Sequence, residues 1–485
     1  MSAAQSAAAG PTAAVGRDGE GPAAAASATA ARIANGAAVP TDDLHAGKPR
    51  ALERFIPVTR FALIDRLTRA DAWPSGMADQ ARRFFRYLDY WRQQQYNAAL
   101  LDLEQSYEPF NPDTDLLISR AFTSGERLAM QKRVVKQVEQ LLQRANYVRI
   151  DPAQVEMIVT DESHYGLDLH VDLKAFEELL IYARGASTRK EQRRLVRKFL
   201  RKEEVDVPTF RRLFVLFKLK PEVTRIEEVM SERGVGRREA EKIVRTLRSM
   251  LPTEVKDESI YMKLFKNMPR SDIEMIFPNT RVKFRLSDKI RLGVTGGAGL
   301  GVGAFSAAGK IALAASNPVA AAGAVAGLGG IAFRQCMNFM NQRQRYMVTL
   351  ARNLYFHAMA DNRGVMVKLA GRAAEEDVKE EILLYAVLAK GTVNHRDLKA
   401  VDAAIEEYLS SSFRIAVNFD LEDALQRLIA DGIVSQDPDG TLRALAPSEA
   451  ALHLDRKWDE FLDRLPDRMD REGIEVEPAP CDALN

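Results

Sequence analysis

The chain has 485 residues, enough for two or three domains, and its 28% charged and 46% hydrophobic residues are those of a folded protein. A net charge of +2 gives no global case for nucleic acid. Two cysteines, Cys336 and Cys481, exclude a disulfide framework or a zinc cluster and suit a reducing compartment.

Of the first 50 residues, 28 are Ala, Gly or Pro, and no apolar period runs through them. Such a segment buries too little surface to offset its ordering entropy, which predicts a disordered tail over 1–50. No apolar run follows a basic start as a secretory signal requires. A mitochondrial transit peptide fits weakly, because Asp18, Glu20, Asp42 and Asp43 accompany Arg17 and Arg32.

Residues 51–290 are expected to form a small mixed α+β region on the cytoplasmic side. A helix capped by Ser75 carries Phe84, Phe85, Leu88 and Trp91 on one face, and a second covers 125–145. The alternation of GLDLHVDL (166–173) and the strand formers of RRLFVLFKLK (211–220) predict a small sheet. A helical pair over 224–249 follows, and 261–290 reads as a short helix, a loop and a strand.

GVTGGAGLGVGAF (293–305) poses the main choice. A dinucleotide loop would need an acidic residue about 20 positions on, and none lies between Asp288 and Asp361; no Walker lysine follows either. A two-helix membrane hairpin over 291–334 explains more. Residues 292–309 and 311–333 are uncharged, with Lys310 between them and a break at Ser316-Asn317-Pro318. Gly293, Gly297 and Gly301 make a small-residue stripe on one arm, and Ala322, Ala326 and Gly330 make one on the other. Basic flanks place both soluble regions on the cytoplasmic side. Connecting helices fill 335–374, with a turn at 360–364 where Gly364 is free to turn left-handed. Three helices and a hairpin around Asp-Pro-Asp-Gly over 375–465 follow the order of a winged-helix-like domain, before a tail at 466–485.

The fold class expected is thus mainly α, with a small α+β region, a membrane hairpin and a C-terminal winged-helix-like domain. Four features invite a function. Asp168, His170 and Asp172 alternate on one strand and would share a face as metal ligands, although a solvated strand face accounts for them more simply. ERGVGRREAEKIV (232–244) resembles a helix-hairpin-helix, whose Gly234 and Gly236 would offer backbone amides to phosphate. Residues 184–220 carry 13 basic and 4 acidic residues, a strip that is usually a solvated face but suits nucleic acid or, beside a membrane hairpin, an anionic lipid surface. The third helix of the 375–465 region is net acidic, which repels nucleic acid and favours a protein partner. His357, Asp361 and the Glu375–Glu376–Asp377 cluster that opens EEDVKEE (375–381) would converge across the 360–364 turn, although solvated helix ends explain them as well. No catalytic constellation stands out by spacing, and no cofactor is implied.

KLFKNMPRSDIEMIFPNTRVKF (263–284), DKIRLGVTGG (288–297), NLYFHAMADNRGVM (353–366) and EEDVKEEILLYAVL (375–388) resemble the uncharacterised family that includes animal transmembrane protein 143, over about residues 55–465. The resemblance implies a membrane protein, mitochondrial in animals and otherwise of the bacterial inner membrane, and supplies no catalytic residue. The function expected is a membrane-anchored, non-enzymatic scaffold or adaptor. A metal-dependent enzyme using Asp168, His170 and Asp172 is the alternative, and a nucleic-acid-binding protein the second.

Overall fold

The computed structural model describes residues 53–74, 76–115, 122–151, 168–194, 202–249, 251–270, 273, 276–278, 280–283 and 355–464. The described elements are, in chain order, α1 (Arg60–Leu67), α2 (Met77–Tyr107), α3 (Ser124–Arg144), β1 (Val148–Arg149), β2 (Asp168–Val171), β3 (Phe176–Arg194), β4 (Lys202–Leu219), α4 (Glu222–Arg233), α5 (Arg237–Arg248), β5 (Tyr261–Pro269), β6 (Thr280–Lys283) and β7 (Ala358–Asp361). There follow α6 (Asn362–Leu388), β8 (Val393–Asn394), α7 (Leu398–Phe413), α8 (Leu421–Ala430), β9 (Val434–Gln436), β10 (Thr441–Ala444), α9 (Pro447–Asp459) and α10 (Phe461–Arg464). Two compact units result, one from residues up to 93 with 375–465 and one from 94–374 with the residues after 465.

The second unit is built on an antiparallel five-stranded sheet of order β1-β3-β4-β5-β7. Alternation along its strands sorts side chains to two faces. Leu180, Tyr182, Phe214, Leu216, Met262 and Leu264 meet helical residues such as Val134, Val138 and Leu369 on one side. Ile181, Leu213, Val215, Phe217, Tyr261 and Phe265 pack with Ile273, Ile276 and Phe277 on the other. Burial on both faces explains why 211–220 reads as a nearly continuous apolar run. Helix α3 starts where the sequence allows a capping box. The Thr123 hydroxyl accepts from the Glu126 amide at 3.3 Å, and the Glu126 carboxylate accepts from the Thr123 amide at 2.8 Å.

Three expectations are corrected here. Residues 261–269 form a central strand, not a short helix, because β5 pairs with both β4 and β7 and buries both faces. The left-handed residue near 360–364 is Asn362 (φ 43°), while Gly364 lies inside α6. Asparagine tolerates that conformation and here also uses its amide. Its Oδ1 accepts from the Met262 amide at 3.0 Å, and its Nδ2 donates to Asp113 at 2.5 Å. Asn362→Leu strains the backbone and strands the buried Met262 amide, so urea unfolding should show a loss of about 2–4 kcal/mol.

The third correction concerns the fold class and the membrane keywords. Among the described residues no helix is long and apolar enough to cross a membrane. Charges run along α2 and α3 and along α6 as far as Glu381, and all three helices bury residues against protein. Residues 291–334, with Gly293, Gly297, Gly301, Ala322, Ala326 and Gly330, lie outside the described residues, as do 1–50. The mainly α fold class with its membrane hairpin therefore gives way to helices combined with a substantial antiparallel sheet, and the membrane anchor is withdrawn.

In the 375–465 region the expected order of helices and hairpin is present, with α7, α8, β9 and β10 following the end of α6 and β8 joining a sheet of order β8-β10-β9, but its core is not confined to that region. In the first unit one continuous core joins Ile56, Leu63, Leu67, Phe84, Phe85 and Leu88 to Ile382, Tyr385, Ile405, Leu425, Leu428 and Leu454. Segment 53–93 thus supplies part of the interior that 375–464 would otherwise lack. Tyr385 lies with its ring centroid 4.4 Å from that of Phe84, and its hydroxyl donates to the Leu445 carbonyl at 2.7 Å. Strands β9 and β10 pair around a turn in which the Gly440 amide donates to Asp437 at 2.9 Å, and β8 adds a third strand to β10.

Candidate functional site

EEDVKEE is not a solvated helix end. Within α6, Glu376, Asp377, Lys379, Glu380 and Glu381 are all buried, beside the apolar Val378 and Ile382. Carboxylates survive burial only when paired and hydrogen-bonded. The counter-charges come from α2 and α8. Arg427 reaches Glu381 with Nε and Glu380 with Nη2, both at 2.7 Å. Its Nη1 lies 3.3 Å from Asp377 and also binds Asp423. Arg92 donates to Glu381 at 2.9 and 3.0 Å and to Asp431 at 2.5 Å. Burial works against the charge of Arg427, but Asp377, Glu381, Glu380 and Asp423 outweigh it and hold the guanidinium above its ordinary pKa. Arg92 is raised in the same way, with Glu381 and Asp431 overcoming burial.

Asp377, Glu380 and Asp423 offer oxygens within 4.8 Å of one another, the spacing of a cation site. The guanidinium of Arg427 already contacts all three, so the cluster has its cation in a side chain. This arrangement serves structure rather than metal chemistry.

The network also fixes a surface. The Trp91 indole donates to Asp431 at 3.3 Å, and the Lys457 ammonium binds the Asp431 carboxylate at 3.0 Å and carbonyl at 2.8 Å. Lys457 also sits over the Trp91 ring, and Phe461 meets that ring edge-on with centroids 5.8 Å apart. Trp91 thereby becomes the rigid floor of a groove of about 340 Å³ lined by Tyr87, Tyr90, Trp91, Leu454, Asp455 and Trp458. Its rims project aromatic surface to solvent, with Tyr90 56% and Trp458 47% exposed. Tyr87 is held by Arg83, whose guanidinium donates to its hydroxyl at 2.9 Å.

A carboxylate of this unit outside the network is also perturbed. Burial, then the neighbouring Glu406 and Asp420, push Asp402 from 3.8 up to about 6, and its Oδ1 has no hydrogen-bond partner. A folded pKa above the unfolded one means the charge costs stability. That cost grows as pH rises from about 4 to about 6 and is full above it. Asp402→Asn should therefore add about 1 kcal/mol at pH 7, after allowance for solvent access, and nothing near pH 3.5; thermal melts across that range test this.

The residues singled out by sequence fall in the second unit. Asp168 and His170 lie on β2, where they are register partners of Lys283 and Arg281 on β6; their side chains lie outside the described residues. Asp172 lies just past the strand, and its carboxylate accepts from Arg225 at 3.1 Å. Gly234 and Gly236 form the α4–α5 turn. Gly234 is left-handed (φ 62°), and Gly236 caps α5 with no side-chain cap. Ala240 and Val244 close the pair against Ile226 and Val229. Within 184–220, Arg184 is buried over Tyr147, Lys218 binds Glu177 and Lys220 binds Glu228, so part of that basic strip is used internally. His357 contacts the Lys266 carbonyl at 2.7 Å, and Asp361 pairs with Lys263 at 3.2 Å.

Sequence reasoning missed the groove and the network behind it. The available signal was the apolar ILLYAVL that continues directly from EEDVKEE and leaves that half of α6 no polar face for solvent.

Residues 176–364, from β3 into the first turn of α6, match the family model described as a protein of unknown function (DUF3754). That stretch is thus an uncharacterised domain family. No solved structure matches the chain.

Proposed function

We propose that this protein is a non-enzymatic scaffold or adaptor that docks another polypeptide in the aromatic groove between α2 and α9. The carrying observation is the groove itself: two exposed aromatic rims over a tryptophan anchored by a buried ion network. Rigid aromatic side chains supply large contact area at little entropic cost, and such residues dominate protein-binding hot spots. A photo-crosslinking amino acid at position 458 should give a discrete adduct with one polypeptide. The same probe at the exposed Leu128 of the second unit is the control. Tyr90→Ala should abolish the adduct; absence of any adduct specific to position 458 would defeat the reading.

The α4–α5 turn supports a second reading, nucleic-acid binding. Gly234 and Gly236 have open space where a Cβ would project, and Arg237, Arg238 and Lys242 follow the turn. Salt-dependent retention of DNA, lost on Gly236→Val, is the expected result if it holds. The narrower kinship with the family that includes transmembrane protein 143 rests on the motifs at 263–284 and 353–366, and it supplies no activity.

A further inference from the structure

We infer that the polypeptide docked in the aromatic groove is a second copy of this chain, related by a two-fold axis. The inference rests on the docking reading above and names its partner. Asp455 on α9 lines the groove, and exposed residues of opposite charge flank it on its two helices. On α2 the stripe that holds Tyr87 and Tyr90 continues, at three- and four-residue spacing, through the exposed Arg83 and Arg86. On α9 the stripe that holds Leu454 and Trp458 continues through the exposed Asp455 and Asp459. Arg86, Asp455 and Asp459 have no ion-pair partner among the described residues, whereas Arg82 beside them pairs with Asp65 at 2.9 Å.

A two-fold interface is self-complementary, because each patch meets its own copy in reverse. A surface with one basic flank, one acidic flank and an apolar floor satisfies that condition. Arg83 and Arg86 would face the partner subunit's Asp455 and the partner subunit's Asp459, and the reverse would hold across the axis. Tyr90 and Trp458, the exposed rim rings, are then the side chains available to fill the opposite groove. A heterologous ligand of a single charge sign would meet repulsion from one flank, so the paired signs favour a copy of the same surface.

Sedimentation velocity of the full chain, at about 1–100 μM and at low and high salt, tests this. The expected result is a reversible dimer that weakens with salt. Trp458→Ala should weaken it at least 10-fold. Two charge-reversal variants, R83E/R86E and D455K/D459K, should each be monomeric and should form a dimer when mixed. Circular dichroism confirms that each variant is folded, and any unfolded one is replaced by the single reversals R86E and D459K. A wild-type monomer throughout the range, or a dimer indifferent to both reversals, would overturn the inference. If the position-458 crosslink then yields a different defined polypeptide, the docking reading stands and only the second copy fails. If it yields none, both fail.

Discussion

Arg427→Leu is expected to destabilise the unit formed by 53–93 and 375–464 by about 3–5 kcal/mol, the cost of removing one partner from a buried ion network. Single domains are stable by only about 5–15 kcal/mol, so this one change removes a large share of the margin. Asp377 and Glu380 lose the guanidinium that Nη1 and Nη2 supply, while Glu381 keeps Arg92. Burial that was tolerable beside a cation then opposes folding. Arg427→Lys retains the charge but not the planar fork, and one ammonium does not meet four carboxylates; it should fall between wild type and leucine. All three tryptophans, Trp73, Trp91 and Trp458, lie in this unit, so urea unfolding followed by their fluorescence reports on it alone. A midpoint shift worth less than about 1 kcal/mol would show that water already reaches the carboxylates.

The same network governs the groove. Asp431 accepts from Arg92, Lys457 and the Trp91 indole, so the charges that stabilise the interior also hold the groove floor in place. A destabilised network and a loosened groove are therefore one event. That link gives the buried ions a purpose beyond stability, since hydrophobic replacements of similar size often match buried ion pairs energetically.

How much of this was legible in the sequence follows from which signals are local. The helix over 125–145, the paired helices on either side of Gly234 and the Asp-Pro-Asp-Gly turn each rest on nearby residues, and the elements form where those residues stand. Strand 261–269 was missed because its pairing with β4 is non-local and its two-sided burial erases the alternation that marks a strand. The charges of 375–381 were misassigned to solvent because their partners, Arg92 and Arg427, lie 289 and 46 residues from Glu381. Neither distance leaves a trace in local periodicity. The groove was invisible for the same reason, being assembled from residues 87–91 and 454–458. The glycine stretch at 293–305, the most conspicuous feature of the sequence, lies outside the described residues.

Lys379→Met should cost nearly as much as loss of Arg427, for a related reason at a different point. Glu376 and Lys379 act as a clip on the backbone of Ile56. The Glu376 carboxylate accepts from the Ile56 amide at 3.0 Å, the Lys379 ammonium donates to the Ile56 carbonyl at 2.6 Å, and the two side chains bond at 2.7 Å. Both are essentially without solvent contact, at 0% and 1% exposure. Together they satisfy both polar groups of Ile56 much as a neighbouring strand would, and the Asn418 amide, donating to the Glu53 carbonyl at 2.9 Å, completes the attachment of that segment. Methionine at 379 leaves the carboxylate without this cation and the carbonyl without its donor, a loss of about 3–5 kcal/mol. Adding Glu376→Gln removes the buried charge while keeping an acceptor for the Ile56 amide. The double variant should therefore be more stable than Lys379→Met alone, with a coupling energy of about 1–3 kcal/mol across the cycle. Hydrogen exchange at the Ile56 amide gives an independent reading, faster in Lys379→Met and partly restored in the double variant. Additivity within about 0.5 kcal/mol would instead mean that the two side chains hold Ile56 separately, and the clip would not be a unit.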